Sequence, residues 1–157
     1  MAEWRRGIGD YFHEQGPYPQ QLEKEQMAHI VASVGEIIGP IAFSSLTATR
    51  TWLQRPEASR FMRAYRKARE WVNEAVPEEV ARVERAFFPE VAQDALTRAI
   101  ACYQQLGCWN PPVTISRAAY EASLDVFMHA RLITKRHPYE QVVVSPPDAE
   151  PSGNCAP

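Results

Sequence analysis

The stretch from Pro56 to Asn73, PEASRFMRAYRKAREWVN, is an amphipathic segment around which the rest of the chain is arranged. Its apolar residues recur at intervals of three and four, as on one face of an α-helix, while charged residues fill the opposite side. The apolar set is Phe61, Ala64, Tyr65, Ala68, Trp71 and Val72. The pattern predicts one long helix whose apolar face is buried against other elements.

Three more segments with the same period follow it, each bounded by proline or glycine. One begins at Pro77 and stops before Pro89, the next runs from Glu90 to Leu106 before Gly107, and Ser116 caps the last. Their predicted core positions are Val80, Val83, Phe87, Phe88, Val91, Ala95, Leu96, Ala99, Ile100, Tyr103, Leu106, Tyr120, Leu124, Phe127, Met128 and Leu132. The back of the chain is therefore predicted to be helical.

The front of the chain is different in kind. Short apolar runs bounded by Gly35, Gly39 and Pro40 predict two buried strands, at residues 28–34 and 40–47, although a short helical turn could replace either. A third, edge strand is predicted at 142–144, and the proline-rich residues 145–157 are expected to be disordered. Together these elements predict an α/β protein, with short strands in the first 48 residues followed by four or five helices.

Two short helical elements in the front part of the chain are predicted from single residues that suit helix starts. Pro19 suits the first turn of a short helix that carries Gln20 to Gln26. A threonine, Thr49 or Thr51, is placed to cap a turn containing Trp52 and Leu53.

Composition excludes several classes of function. The chain has 157 residues, 45% of them hydrophobic, and a formal net charge of -2, which gives no general attraction for nucleic acid or an anionic membrane. The basic residues Arg60 to Arg69 alternate with apolar ones, which is typical of a solvated helix face. No segment has the length or hydropathy of a signal peptide or a membrane span.

No catalytic or metal-binding constellation is evident. The four histidines, His13, His29, His129 and His137, lie far apart, and none is spaced as a metal ligand. Three cysteines without CxxC spacing argue against a disulfide framework or a zinc site, so Cys102 and Cys108 are interpreted as small buried hydrophobic residues. We expect no cofactor and no metal.

Several segments in a fixed order resemble the carboxy-terminal half of a family of solute-binding proteins. They are GDYFHEQGPYPQQLE, HIVASVGEIIGPIAFSSL, FMRAYRKAREWV, FFPEVAQDAL, YQQLGCW, ISRAAYEASLDVFMHARLI and PYEQVV. The family serves ABC importers of nitrate, sulfonates such as taurine, and thiamine pyrimidine precursors, and includes relatives that synthesise the thiamine pyrimidine. The resemblance covers residues 7–143.

The resemblance implies part of a two-lobed, periplasmic-binding-protein-like (type II) fold with the ligand in the cleft between lobes. On that map residues 1–38 are a remnant of the second lobe, 39–48 the strand that crosses between lobes, and 49–144 the helical part of the first lobe. The ligand-facing positions that it implies are Asp10, Tyr11, Gly16, Pro17, Ser44 and Ser45. The first half of such a receptor and its export signal have no counterpart in the sequence.

Three functional hypotheses follow. The first is the substrate-binding component, or a fragment of it, of an ABC importer, which would work with permease and ATPase subunits and a small nitrogen- or sulfur-containing solute. A separate amino-terminal half or a second copy of the chain would complete the cleft.

The second hypothesis is an enzyme related to thiamine-pyrimidine synthesis, for which His13 and His29 are the only, weak, candidates for a reactive side chain. The third is a non-catalytic helical assembly protein. An exported receptor would be periplasmic, whereas the chain alone is expected to stay in the cytoplasm.

Overall fold

The computed structural model describes residues 2–147, and every regular element within that range is a helix. The helices are α1 (Ala2–Arg5), α2 (Tyr18–Lys24), α3 (Val34–Ile38), α4 (Arg50–Leu53), α5 (Pro56–Glu74), α6 (Pro77–Glu84), α7 (Gln93–Gln105), α8 (Arg117–His129) and α9 (Tyr139–Val142). A 3-10 turn, Arg85–Phe87, follows α6. No described helix is long and apolar enough to cross a membrane.

The predicted α/β fold is wrong, because residues 2–147 contain no strand. Residues 28–33 and 40–47 are irregular, and α3 occupies Val34–Ile38. A strand needs a neighbour to receive its backbone hydrogen bonds, and the bond from the Ala42 N–H to the Ala119 carbonyl at 3.1 Å is an isolated one. The local bond from the Gly39 N–H to the Gly35 carbonyl, also 3.1 Å, instead closes a helical turn.

The predicted strand at 142–144 is also absent. Its first residue ends α9, whose last turn is closed by a bond from the Val143 N–H to the Tyr139 carbonyl at 2.8 Å. Of the predicted disordered tail, residues 145–147 belong to the described chain and residues 148–157 lie outside it.

The long helix forms where the sequence predicts it, but its buried face is rotated. Ala58 and Met62 are its buried residues, whereas Phe61 is 45% exposed and Trp71 36% exposed. Burial of the Phe61 and Trp71 face is therefore a wrong prediction. The three-and-four spacing located the helix but did not identify which side meets the rest of the protein.

The other helices begin and end close to their predicted signals. Thr49 accepts a hydrogen bond from the Trp52 N–H at 3.2 Å, and Ser116 caps α8 by accepting from the Ala119 N–H at 3.1 Å. Pro19 lies in the first turn of α2. Gly107, with φ of 68°, follows the last turn of α7, where a left-handed residue ends a helix at little cost.

The chain divides into two compact units, and the division falls inside α3 and near the end of α5. Within the described residues, unit 1 comprises 2–34 and 72–109, and unit 2 comprises 35–71 and 110–147.

Unit 1 contains the hydrophobic core. Its buried cluster is Val80, Ala81, Val91, Ala95, Leu96 and Ile100, on which Val72, Ala75, Phe88, Ala92 and Trp109 pack. The predicted core positions Val83 and Phe87 are wrong, because they are 57% and 78% exposed. The tight 3-10 turn after α6 directs Phe88 to the core in place of Phe87.

Polar contacts join α2 and the end of α5 to this core. The Gln21 side-chain oxygen accepts the Ala92 N–H at 2.8 Å, at the start of α7. Gln104 donates to the carbonyl oxygens of Val72 and Ala75 at 2.6 and 2.9 Å, which satisfies acceptors left open where α5 ends. Unit 1 thus has an apolar centre, and these side-chain hydrogen bonds attach α2 and the end of α5 to it.

Unit 2 is stabilised by different kinds of contact from unit 1. Among its described residues, the buried hydrophobic side chains are Ala58, Met62, Tyr120 and Leu124, and none of them belongs to the buried cluster of unit 1. The hydroxyl of Tyr120 donates to the His137 carbonyl at 2.8 Å, and that of Tyr139 donates to the Ile115 carbonyl at 2.5 Å. Aromatic rings and hydroxyls therefore supply much of the packing around α8.

Candidate functional site

The glycine and aromatic loop of unit 1 presents two of the predicted ligand-facing residues to solvent. Asp10 is exposed and Tyr11 is 78% exposed. Gly9, with φ of 88°, supplies a left-handed backbone conformation beside them, and Phe12 packs on Trp4 with ring centroids 4.6 Å apart. The loop offers a carboxylate and a phenol at the surface, but no other side chain encloses them.

Gly16 and Pro17 have a packing role. The Gly16 N–H donates to the Tyr103 hydroxyl oxygen at 3.0 Å, and a Cβ added to Gly16 would lie 2.9 Å from that oxygen. Pro17 is buried. Burial raises the pKa of the Tyr103 phenol, which keeps the hydroxyl neutral. Both residues fix the start of α2 against α7.

Ser44 and Ser45 lie on the irregular segment of unit 2, and both are exposed. The Ser45 hydroxyl is 3.5 Å from the Ala42 carbonyl, a weak local bond that leaves the oxygen available as an acceptor. This segment contacts α8 through the hydrogen bond from the Ala42 N–H to the Ala119 carbonyl and through the ring pair Phe43 and Phe127, with centroids 6.1 Å apart.

Unit 2 also contains a half-open pocket of about 260 Å³ between α4 and the chain after α9. It is lined by Arg50, Leu53, Gln54, Val144, Ser145 and Pro147. Its polar groups are a guanidinium, an amide and a hydroxyl, and its remaining walls are aliphatic. None of the six residues predicted from the sequence lines it.

Arg50 is the charged group of this pocket and is held in place by the backbone. Its Nη2 donates to the Gln141 carbonyl at 2.6 Å, which uses one of five guanidinium N–H groups. The remaining donors can bind an anionic oxygen. Arg50 is exposed, so the pocket is an open surface depression with one cationic group.

Sequence reasoning missed Arg50 because a single arginine at the start of a four-residue helix has no periodic signal. The opposite wall was interpreted as a strand from the run Val142 to Val144. The pairing of these two stretches is long-range, so only the folded chain reveals it.

Within residues 2–147, no three or more His, Cys, Asp or Glu side chains are grouped so that they could hold a metal ion. His13 and His29 are both exposed. No disulfide joins Cys102 and Cys108. The interpretation of Cys108 as a buried residue is wrong, because Cys108 is exposed, whereas Cys102 is half-buried. Partial desolvation raises the pKa of the Cys108 thiol, which lowers its thiolate fraction.

Comparison with known proteins gives one significant relative. The chain is 25% identical over 139 residues to a protein described as "Putative binding protein YtlA" from Bacillus subtilis (strain 168). The match takes in 87% of this chain and 42% of that protein, so the chain spans about two-fifths of the length of the curated relative. No family model matches the chain, and no solved structure matches it significantly. The coarse part of the predicted resemblance is thus confirmed: the chain is similar to a protein named for binding.

Proposed function

We propose that this chain is the substrate-binding component, or a part of one, of an ABC-type importer. In this role it binds a small nitrogen- or sulfur-containing solute outside the cytoplasmic membrane, passes it to permease and ATPase subunits, and catalyses no reaction. The observation that supports the proposal is the similarity to a binding protein along nearly the whole chain, 87% of its residues.

The side chains of the Arg50 pocket indicate which solutes to test. A guanidinium binds sulfonate or nitrate oxygens through parallel N–H donors, and the aliphatic walls suit a short alkyl chain. Alkyl sulfonates and taurine are therefore the first solutes to test, followed by nitrate and pyrimidine precursors of thiamine. At about 260 Å³ the pocket accommodates only small molecules.

The length of the relative bears on how a cleft would be completed. Since the match covers 42% of that protein, more than half of it has no counterpart in this chain. We propose that residues outside the matched region, on this polypeptide or another, supply the other wall of the binding cleft. Solute affinity of this chain alone is then expected to be weak.

Isothermal titration of the 157-residue chain with taurine, butanesulfonate, nitrate and an aminopyrimidine tests the function. Arg50→Gln is expected to abolish binding of the sulfonates, because it removes the charge but keeps a polar side chain. Arg55→Gln is the matched control. Arg55 is an exposed arginine five residues after Arg50 and does not line the pocket. No heat with any of the four solutes, at concentrations high enough to detect the expected weak binding, would overturn the proposal that this chain binds them. Equal loss in both variants would assign binding to general charge instead of the pocket.

A further inference from the structure

The exposed side of α5 carries an apolar stripe. Phe61, Ala64, Ala68 and Trp71 are separated by three, four and three residues, and all four are exposed. This is the a/d spacing by which one helix packs against another over two heptads. Two large residues at the ends and two alanines in the middle give the stripe a definite shape.

The aromatic end at Phe61 is ordered within unit 2. Its ring meets Trp52 edge to face with centroids 6.1 Å apart, and stacks on Tyr65 at 6.3 Å. Two neighbours therefore hold the ring in position while 45% of the residue remains open to solvent. A preorganised aromatic side chain loses little conformational entropy when a partner covers it.

The stripe is complementary to itself in the antiparallel direction. When two copies of α5 cross at Arg66, Phe61 of one copy lies opposite Trp71 of the other, and Ala64 lies opposite Ala68. Large residues then meet at both ends and alanines meet at the centre, where they allow the two backbones to approach closely.

The charges that flank the stripe agree with this register. Arg60 and Glu74 are both exposed and occupy equivalent flanking positions at opposite ends of α5. In the antiparallel pair, Arg60 of each copy lies beside Glu74 of the other, which gives two ion pairs. Lys67 meets its own counterpart at the centre, an unfavourable contact that its long side chain can avoid by turning to solvent.

We propose that α5 pairs with α5 of a second copy of this chain, antiparallel, through the stripe Phe61, Ala64, Ala68 and Trp71. A two-heptad seam buries a small area, so the dimer is weak and depends on concentration. The pairing does not depend on the solute pocket, and it would hold if no importer were involved.

Sedimentation velocity of the full chain over a concentration series tests the pairing. We expect wild type to shift from monomer to dimer, and Ala64→Glu to remain monomeric with unchanged helicity by circular dichroism, since residue 64 is exposed and glutamate suits a helix. Wild type that stays monomeric throughout, or Ala64→Glu that still dimerises, would overturn the proposal.

A charge exchange tests the direction of the pair. Arg60→Glu and Glu74→Arg are each expected to weaken the dimer at least several-fold, because each places like charges side by side. The double variant R60E/E74R should recover it, since the ion pairs re-form with exchanged signs. A double variant as weak as either single one would contradict the antiparallel register.

Discussion

The two units of this chain are stabilised in different ways although they are similar in length. Unit 1 buries Leu22, Val80, Ala81, Val91, Ala95, Leu96, Ala99 and Ile100. Unit 2 buries Ala58, Met62, Tyr120 and Leu124, and relies on tyrosine hydroxyls, ring contacts and the Arg117–Glu140 ion pair. Burial of aliphatic surface is the larger stabilising term, so unit 1 is expected to be the more stable.

Both units expose large hydrophobic side chains. Ile37 and Leu132 of unit 2 are 75% and 72% exposed, and Phe87 and Val31 of unit 1 are 78% and 72% exposed. Surface ion pairs such as the one between Arg117 and Glu140 contribute little to offset this, because solvent screens them. The difference between the units therefore lies in their buried residues, and it indicates that the aliphatic cluster of unit 1 is the more stable part of the chain.

Leu96→Ala tests the core of unit 1 and should have the largest effect. Leu96 is 2% exposed and belongs to the buried cluster, so truncation removes contacts and leaves a cavity. We expect a loss of about 3–5 kcal/mol of unfolding free energy. Urea denaturation followed by circular dichroism measures it.

Leu124→Ala is the matched change in unit 2. Leu124 is 8% exposed and lies outside the buried cluster, so neighbouring side chains can move into the vacated space. We expect a smaller loss, about 2 kcal/mol. Amide hydrogen exchange assigns each loss to its unit, and equal losses would remove the distinction between the units.

The elements that sequence predicted correctly depend on local physics. Ser116 caps α8 through a hydrogen bond to the Ala119 N–H three residues ahead, and Gly107 ends α7 through its own backbone angle. The apolar period located α5, α7 and α8. None of these features requires knowledge of the rest of the fold.

What could not be predicted depends on distant partners. The isoleucine and valine runs at 28–47 look like strands, but a strand forms only when another strand receives its hydrogen bonds. Likewise, the face of α5 that is buried is decided by what packs on it, and Ala58 with Met62 takes the place predicted for Phe61 and Trp71. Arg50 is positioned by a hydrogen bond to the carbonyl of Gln141, which lies 91 residues further along the chain.

Gly16→Ala probes the attachment of α2 to α7 inside unit 1. The new Cβ would lie 2.9 Å from the Tyr103 hydroxyl oxygen, so residue 16 or the tyrosine ring must move. The hydrogen bond from the residue 16 N–H to the Tyr103 hydroxyl oxygen then lengthens. We expect a loss of about 1–3 kcal/mol, measured by thermal denaturation.

Tyr103→Phe separates the loss of the hydrogen bond from the steric contact of the new Cβ. It leaves the Gly16 N–H without its acceptor but introduces no clash, which should cost about 1 kcal/mol. If Gly16→Ala were neutral, the close packing of this loop on α7 would be wrong.

Ser116→Ala removes the cap of α8 in unit 2. The Ala119 N–H then loses its acceptor at the start of a 13-residue helix, and we expect a loss of about 1 kcal/mol. Thr49→Ala, which removes the same kind of cap from a four-residue helix, is the control and should cost less. Helicity by circular dichroism during urea titration compares them, and a larger loss for Thr49→Ala would contradict the expectation.

Glu84→Gln should have the smallest effect, and its sign depends on pH. Burial raises the pKa of the Glu84 carboxyl, so folding disfavours its charged form, and the helix dipole at the end of α6 acts in the same direction. At acidic pH, where the carboxyl is protonated in both states, the wild type and the variant should unfold alike. As pH rises through the raised pKa, the Glu84 carboxyl becomes charged, and the folded wild type loses the stability it had while that carboxyl was protonated. The variant should therefore melt at a slightly higher temperature than wild type at neutral pH.

Glu79→Gln, in the first turn of the same helix, is the control. It removes a favourable dipole interaction and should melt slightly lower than wild type. Parallel melting curves at acidic and neutral pH compare the three proteins, and a Glu84→Gln variant less stable than wild type at neutral pH would show that the carboxylate is stabilised in the folded state.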